Sequence, residues 1–272
     1  MKRESSVIKL ANGLTHQPRK RFGQNFLHDQ NAIEKIIDAI SPCKEHHIVE
    51  IGPGYGALTN PLFKSGAKLD CVEIDQDLAK FIGDKFGNSK NFQIFQEDIL
   101  KFDLTLLSKK EQTLRIVGNL PYNISTPVIF HLLKNHRLIA DMIFMLQLEV
   151  IQRMSSNVGD KNYGRLSLMA QYYCEVEHLF NVPSSSFTPK PKVVSAIVRL
   201  KPHQKLPVKA KDPGCLQNVI RTAFNQRRKT LKNSLKTVVS NSILEGLPID
   251  TNLRPENLSL NDYVIISDAI SG

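Results

Sequence analysis

The sequence predicts an α/β protein, a doubly wound parallel sheet followed by a small C-terminal helical domain. Three observations predict it. Four apolar, β-branched runs between residues 47 and 119 are each followed by a turn or a helical stretch, the pattern of parallel strands joined by right-handed crossovers. A glycine turn, Gly52-Pro53-Gly54-Tyr55-Gly56-Ala57, directly follows the first run, where such sheets place their ligands. After Lys201-Pro202 the periodicity becomes helical only, which sets a boundary between 201 and 212. The expected division is a flexible tail at 1–18, the sheet domain at 19–204 and the helical domain at 205–272.

In chain order, Arg19 to Leu27 follows the tail as a basic loop carrying Phe22 and Phe26. Ile33, Ile36, Ile37 and Ile40 then recur at helical spacing until Ser41-Pro42 ends the helix. His47 to Ile51 is the first strand, and its glycine turn opens a helix through about Lys64. Lys68 to Ile74 is the second strand, followed by a helix with Leu78, Phe81 and Ile82 inward. Phe92 to Phe95 is the third, ending in Glu97-Asp98-Ile99. The fourth, from Arg115, runs into Asn119-Leu120-Pro121-Tyr122. Beyond it come a helix started by Ser125-Thr126-Pro127, a strand at Met142 to Gln147, and helices at Val150 to Met154 and Arg165 to Cys174. Ser155 to Gly164 is a polar linker. Glu175 to Val182 and Ser195 to Leu200 read as a hairpin pair completing the sheet, and Leu258 to Ile270 as a last short helix.

Composition narrows the function. With 272 residues, 41% apolar and 23% charged, the chain can bury a sizeable core. Cys43, Cys71, Cys174 and Cys215 are scattered without a C-x-x-C pair, which argues against a zinc site or a disulfide framework and for reduced thiols in the cytoplasm. No metal is expected. The polar, basic start lacks an apolar leader, and no run approaches a membrane span, so the expected protein is neither exported nor embedded. The net charge of +10 is uneven: residues 31–200 hold 19 bases against 18 acids, whereas 201–240 hold ten against one. Such a cationic flank fits a polyphosphate partner.

The fourth strand delivers the chemistry. Pro121 fixes its own φ and pushes Leu120 towards an extended backbone, so the Asn119 side chain and the Leu120 carbonyl can aim at one point beside the Tyr122 ring. Two acceptors and a flat face suit a planar group with N–H donors, such as an adenine amine. The glycine turn fits two ligands. Gly52-x-Gly54-x-x-Ala57 with Glu73 about twenty residues on satisfies a loose dinucleotide fingerprint. Glu50 before the turn suits a cationic amino acid moiety better than a diphosphate, and Asp98 is placed to accept from an adenine amino group. That combination favours S-adenosylmethionine over NAD.

Val49-Glu50-Ile51-Gly52-Pro53-Gly54, Glu73, Asp98 and Asn119-Leu120-Pro121-Tyr122 resemble the successive signatures of class I, Rossmann-like methyltransferases that use S-adenosylmethionine. Lys20 to Leu27, Asn119 to Thr126, Phe187-Thr188-Pro189-Lys190-Pro191-Lys192-Val193 and Phe224 to Lys229 narrow the likeness to the bacterial small-subunit rRNA adenine dimethyltransferases, over residues 19 to about 260. The resemblance implies that Asn25, Leu27, Gly52, Gly54, Glu73, Asp98 and Asn119 line the S-adenosylmethionine pocket, with Glu73 on the ribose, Asp98 on the adenine, and Ile74 and Ile99 about its ring. It further implies that Asn119 and Leu120 hold the target amine and that Tyr122 and Phe187 stack the flipped base. Arg221, Arg227, Arg228, Lys229 and Lys232, with Lys236, would give the helical domain an RNA-binding face. The implied substrate is a pair of adjacent adenosines near the 3′ end of 16S rRNA in the immature small subunit, and the expected enzyme is a monomer. Two alternatives stand beside it: an adenine methyltransferase acting on large-subunit rRNA, and a ribosome-assembly factor in which methylation is secondary.

Overall fold

The computed structural model describes residues 24–271 and two short strands before them, β1 (Ile8–Lys9) and β2 (Thr15–His16), which pair antiparallel. The tail expected over 1–18, apart from that pair, and the basic run Arg19 to Gly23 lie outside the described residues. The chain divides into two compact units, residues 1–148 with 178–199, and 149–177 with 200–272.

The first unit is built on the predicted strand and helix units. β3 (Phe26–Leu27) leads to α1 (Gln30–Ile40), which Asp29 caps by accepting from the Asn31 and Ala32 N–H groups and which Ser41 ends in the left-handed region at φ 48°. β4 (His47–Ile51), α2 (Thr59–Lys64), β5 (Lys68–Glu73), α3 (Gln76–Phe86), β6 (Phe92–Gln96), β7 (Leu114–Asn119) and α4 (Ser125–Lys134) follow in order. β8 (Ile139–Gln147) runs into α5 (Leu148–Met154) and α6 (Arg165–Tyr173), which apart from Leu148 belong to the second unit, and β9 (Cys174–Val182), β10 (Phe187–Thr188) and β11 (Ser195–Pro202) follow. The large sheet has the order β6-β5-β4-β7-β8-β11-β9, and β6, β5, β4, β7 and β8 are mutually parallel. Numbered from β4, that order is 3-2-1-4-5-7-6. It reverses between β4 and β7, the switch point at which an open sheet leaves a crevice beyond its strand ends.

The β-branched runs are buried in full: Ile48, Val49 and Ile51 of β4 and Ile116 and Val117 of β7 are at most 3% exposed. Parallel strands covered on both faces show this continuous apolar pattern. At the strand starts Arg115 holds Asp141 through two bonds of 2.9 and 2.7 Å and reaches His46 Nδ1 at 2.9 Å.

The second unit is helical after β11, with α7 (Pro213–Asn225), α8 (Leu231–Leu235), α9 (Asn241–Glu245) and α10 (Leu260–Ile270). Val219 and Ala223 are buried as expected, and Phe224 is half-buried. Residues 149–177 pack with these helices, where the sequence division kept them with the sheet: Tyr163 donates to the Leu258 carbonyl at 3.1 Å, and the Ala210 N–H to the Tyr172 hydroxyl at 3.3 Å. Among the described residues no helix is long and apolar enough to cross a membrane.

Candidate active site

A cleft opens within the first unit beyond the carboxyl ends of β4, β5 and β7, bordered by the turn after β6. The glycine turn forms its floor. Gly52 and Gly54 have φ +66° and +56°, a region side-chain-bearing residues seldom adopt, and a Cβ on Gly54 would lie 3.3 Å from the Phe26 ring. The Gly54 N–H donates to Glu73 Oε2 at 3.3 Å and the Asp75 N–H to Glu73 Oε1 at 2.9 Å. So Glu73 is fixed at the end of β5, while Asp75 is the residue that caps α3. Asp98 sits in the turn after β6, where its Oδ1 accepts from the Leu100 N–H at 3.0 Å. Ile74 also lines the cleft and is 45% exposed, an apolar edge left open beside these polar groups, whereas Ile99 is buried.

Asn119 closes β7 and lines the same cleft. Its Nδ2 donates to the Asn25 carbonyl at 2.9 Å, which commits one half of the amide and leaves Oδ1 as the half that can accept. The Leu120 side chain is buried and its N–H donates to the Met145 carbonyl at 3.2 Å, so only its carbonyl is left to act. The Tyr122 hydroxyl is 2.5 Å from Ser195 Oγ, which fixes the ring at the cleft wall.

Electrostatics separate the two ligands that the glycine turn allowed. The cleft is lined by the carboxyl groups of Glu50, Glu73, Glu97 and Asp98, and among the described residues none that lines it is Lys, Arg or His. Burial pushes the Glu50 carboxyl up to about 7 and raises that of Glu73. These carboxyl groups disfavour a diphosphate, whereas a ligand with positive charge offsets the cost of ionising the buried ones.

Asn25, Leu27, Gly52, Gly54, Glu73, Asp98, Asn119, Leu120 and Tyr122 therefore meet in one cleft. Phe187 does not. It is 3% exposed and packs in the core, because β10 pairs antiparallel with β3, Phe187 opposite Leu27. The expected stacking position is thus replaced, in this structure, by core packing. Gln24, whose Nε2 reaches Asp75 Oδ2 at 3.3 Å, and Tyr55, whose ring lies 4.3 Å from that of Phe26, line the cleft as well, without a sequence signal of their own for that role. Ser195, the hydroxyl partner of Tyr122, carried no signal at all.

In the second unit Arg221, Arg228 and Lys229 are exposed. Arg227 Nε lies 3.6 Å from Glu256 Oε2, and Lys232 Nζ 2.6 Å from Glu245 Oε1. Acids from beyond residue 240 thus offset two of the five predicted RNA-binding cations.

A carboxylate-lined cleft at the switch point of a sheet of this order suits a cationic donor, and the chain is a Rossmann-like, S-adenosylmethionine-dependent methyltransferase. A family model described as ribosomal RNA adenine dimethylase matches residues 15–271, and the chain belongs to that family. Over 256 residues it is 55% identical to the ribosomal RNA small subunit methyltransferase A of Pseudomonas savastanoi pv. phaseolicola, covering 94% of this chain and 96% of that protein. Its counterpart in Marinobacter nauticus is 53% identical over 262 residues, with coverage of 96% and 95%. Among solved structures, a dimethyladenosine transferase from Plasmodium falciparum superposes with a TM-score of 0.72 at 27% identity, covering 89% of this chain and 95% of that one. The 23S rRNA methyltransferase ErmE shares the fold, with a TM-score of 0.65 at 22% identity over 91% and 100% of the two chains.

Proposed function

We propose that the chain transfers methyl groups from S-adenosylmethionine to the exocyclic N6 of two adjacent adenosines near the 3′ end of 16S rRNA, giving N6,N6-dimethyladenosine in the immature small subunit. It acts as a cytoplasmic monomer, with a methyltransferase domain built on the large sheet and an RNA-binding helical domain that takes in residues 149–177 and the helices after β11. Family membership and relatives named for the small-subunit RNA support the substrate. The observation that carries the chemistry is the amide of Asn119, whose nitrogen is engaged by Asn25 and whose oxygen is left to accept.

The residues present fit the donor. Gly54 leaves the space a Cβ would fill, the four carboxyl groups suit its charge, and the open edge of Ile74 suits its adenine. Glu73 would hold the ribose hydroxyls and Asp98 the adenine amine, with Asn25 and Leu27 closing the pocket. When bound, S-adenosylmethionine supplies an activated sulfonium methyl. The chain's own groups then act on the acceptor, whose N6 lone pair is delocalised into the purine ring and is a poor nucleophile. Asn119 Oδ1 and the Leu120 carbonyl accept the amino hydrogens, draw the nitrogen towards tetrahedral geometry and aim its lone pair. Positioning and electrostatics supply the rate. No strong base is needed, because the nitrogen becomes acidic only on gaining the methyl group and its proton then leaves to solvent. Tyr122, held by Ser195, offers a face on which the extruded base stacks.

The test is labelled methyl transfer from S-adenosylmethionine to small subunits purified from cells lacking the modification, followed by mass spectrometry of the nucleosides. Dimethyladenosine in 16S rRNA is expected. Label confined to large-subunit RNA, offered in parallel, would move the substrate, and no label in either would end the reading.

A further inference from the structure

The segment 24–29 is tied down at both ends, and its far tie lies outside the cleft. Gln24 to Leu27 line the cleft, and the Asn25 carbonyl accepts from Asn119 Nδ2 at 2.9 Å. From there β3 runs antiparallel to β10, with Leu27 opposite Phe187 and Phe26 opposite Thr188. Two residues a side is too short a ladder to hold itself, since isolated strand pairs are marginal in water. Past its end the His28 N–H donates to the Ser186 carbonyl at 3.0 Å, and the Ser186 hydroxyl donates to Asp29 Oδ2 at 2.7 Å. The other oxygen of Asp29 accepts from the Asn31 and Ala32 N–H groups at the start of α1. Ser186 is 1% exposed, so its hydrogen bond is sheltered from water. The Asp29 carboxyl is held below its ordinary value, first by that hydroxyl.

We propose that Asp29 and Ser186 are positioning residues for methyl transfer, acting through β3 and the Asn25 carbonyl on the orientation of the Asn119 amide. The inference rests on the proposed function, in which Asn119 Oδ1 must meet an amino hydrogen. Asp29 joins the rigid start of α1 to the segment before β10, and the short ladder carries that alignment to Asn25. Without the Ser186 hydroxyl the ladder frays, the Asn25 carbonyl drifts, and the amide loses the partner that fixes which of its ends faces the acceptor. A small misplacement of this kind is enough to cost about a hundredfold in rate.

The experiment compares Ser186→Ala, Asp29→Ala and Asp29→Asn with Ile139→Val in the full-length chain, recording kcat, the KM for S-adenosylmethionine and the melting temperature. Ile139 is fully buried at the start of β8, away from the strand ends that form the cleft, and its truncation by one methyl group destabilises the fold by an amount similar to one lost hydrogen bond. Ser186→Ala and Asp29→Ala are expected to lose about tenfold or more in kcat and to raise the donor KM, while Ile139→Val, melting equally early, keeps wild-type kcat. Asp29→Asn keeps the cap and can still hydrogen-bond Ser186, so it is expected to stay within about threefold of wild type. A kcat for Ser186→Ala no lower than that of Ile139→Val overturns the proposal, as does an equal loss in Asp29→Asn and Asp29→Ala. Either result alongside an active wild type leaves the proposed function standing. Absence of transfer by the wild type itself removes that function, and this inference with it.

Discussion

Replacing Asn119 by Ala removes the acceptor and the tie to Asn25 together, whereas replacing it by Asp keeps two oxygens but sets one against the Asn25 carbonyl that now receives a hydrogen bond of 2.9 Å. Both variants are expected to lose about 10²- to 10³-fold in kcat, Asp no less than Ala, while filter binding to RNA stays close to wild type. An Asp variant retaining most of its activity would show that oxygen alone suffices and that orientation by Asn25 does not matter. Glu50 gives a second prediction. Burial pushes its carboxyl up from 4.5 to about 7, so the charged form is disfavoured. Its contribution to stability is complete below pH 4.5 and is lost as pH rises through 7, a change of about 3 kcal/mol that Glu50→Gln should remove from the pH dependence of urea unfolding. A cationic donor prefers the ionised form, so its affinity should rise as pH rises from 6 to 8, and calorimetry on Glu50→Gln should find that slope flattened. At this scale the sequence showed residue types but not their ties. Asn119 was legible because a strand ran into Asn-Leu-Pro-Tyr, yet nothing in either local pattern linked it to Asn25, which lies 94 residues away.

Within β7 one strand separates stability from function along its length. Arg115 near its start is held by Asp141 and reaches His46, whose pKa is lowered by burial and by the nearby guanidinium. Asn119 at the other end lines the cleft. Arg115→Leu leaves a partly buried carboxylate without its partner and is expected to cost about 1–3 kcal/mol in urea unfolding, with donor affinity unchanged. Gly118, between the two, behaves differently: a Cβ there would stand 2.6 Å from the Ile51 carbonyl of the neighbouring strand. Gly118→Ala should therefore force β4 and β7 apart at the switch point, costing about 1–3 kcal/mol and weakening donor binding as well. The long elements were readable because a buried parallel strand announces itself by an unbroken apolar run, and β4 falls on the expected His47–Ile51. β3 and β10 were not, since two residues carry no periodicity; the stacking role of Phe187 came from the family resemblance alone, and the pairing of β10 with β3 sets its side chain in the core.

Across the whole chain the charge is carried by the segments outside the sheet-forming stretch. Residues 31–200 are nearly neutral and 201–240 carry ten bases against one acid, so the sequence announced a polyanion partner, but a count along the chain could not see Glu245 and Glu256 folding back onto Lys232 and Arg227. The cations expected to meet phosphate most fully are thus Arg221, Arg228 and Lys229, which are exposed, in preference to the two that already have carboxylate neighbours. Each cation that neutralises a phosphate releases counterions and adds to the slope of log affinity against log salt. Arg228→Gln with Lys229→Gln should therefore lower that slope by about 1.5 for the 16S RNA substrate, whereas Lys232→Gln, already paired, should lower it by well under one. Methyl-donor affinity measured without RNA should not move in either variant, because none of these side chains lines the donor cleft. A salt slope unchanged in the double variant would take these residues out of the RNA interface and leave the polyanion contact to the remaining bases of the chain. Equal effects from Lys232 and from the exposed pair would instead show that the carboxylate neighbours yield to phosphate on binding.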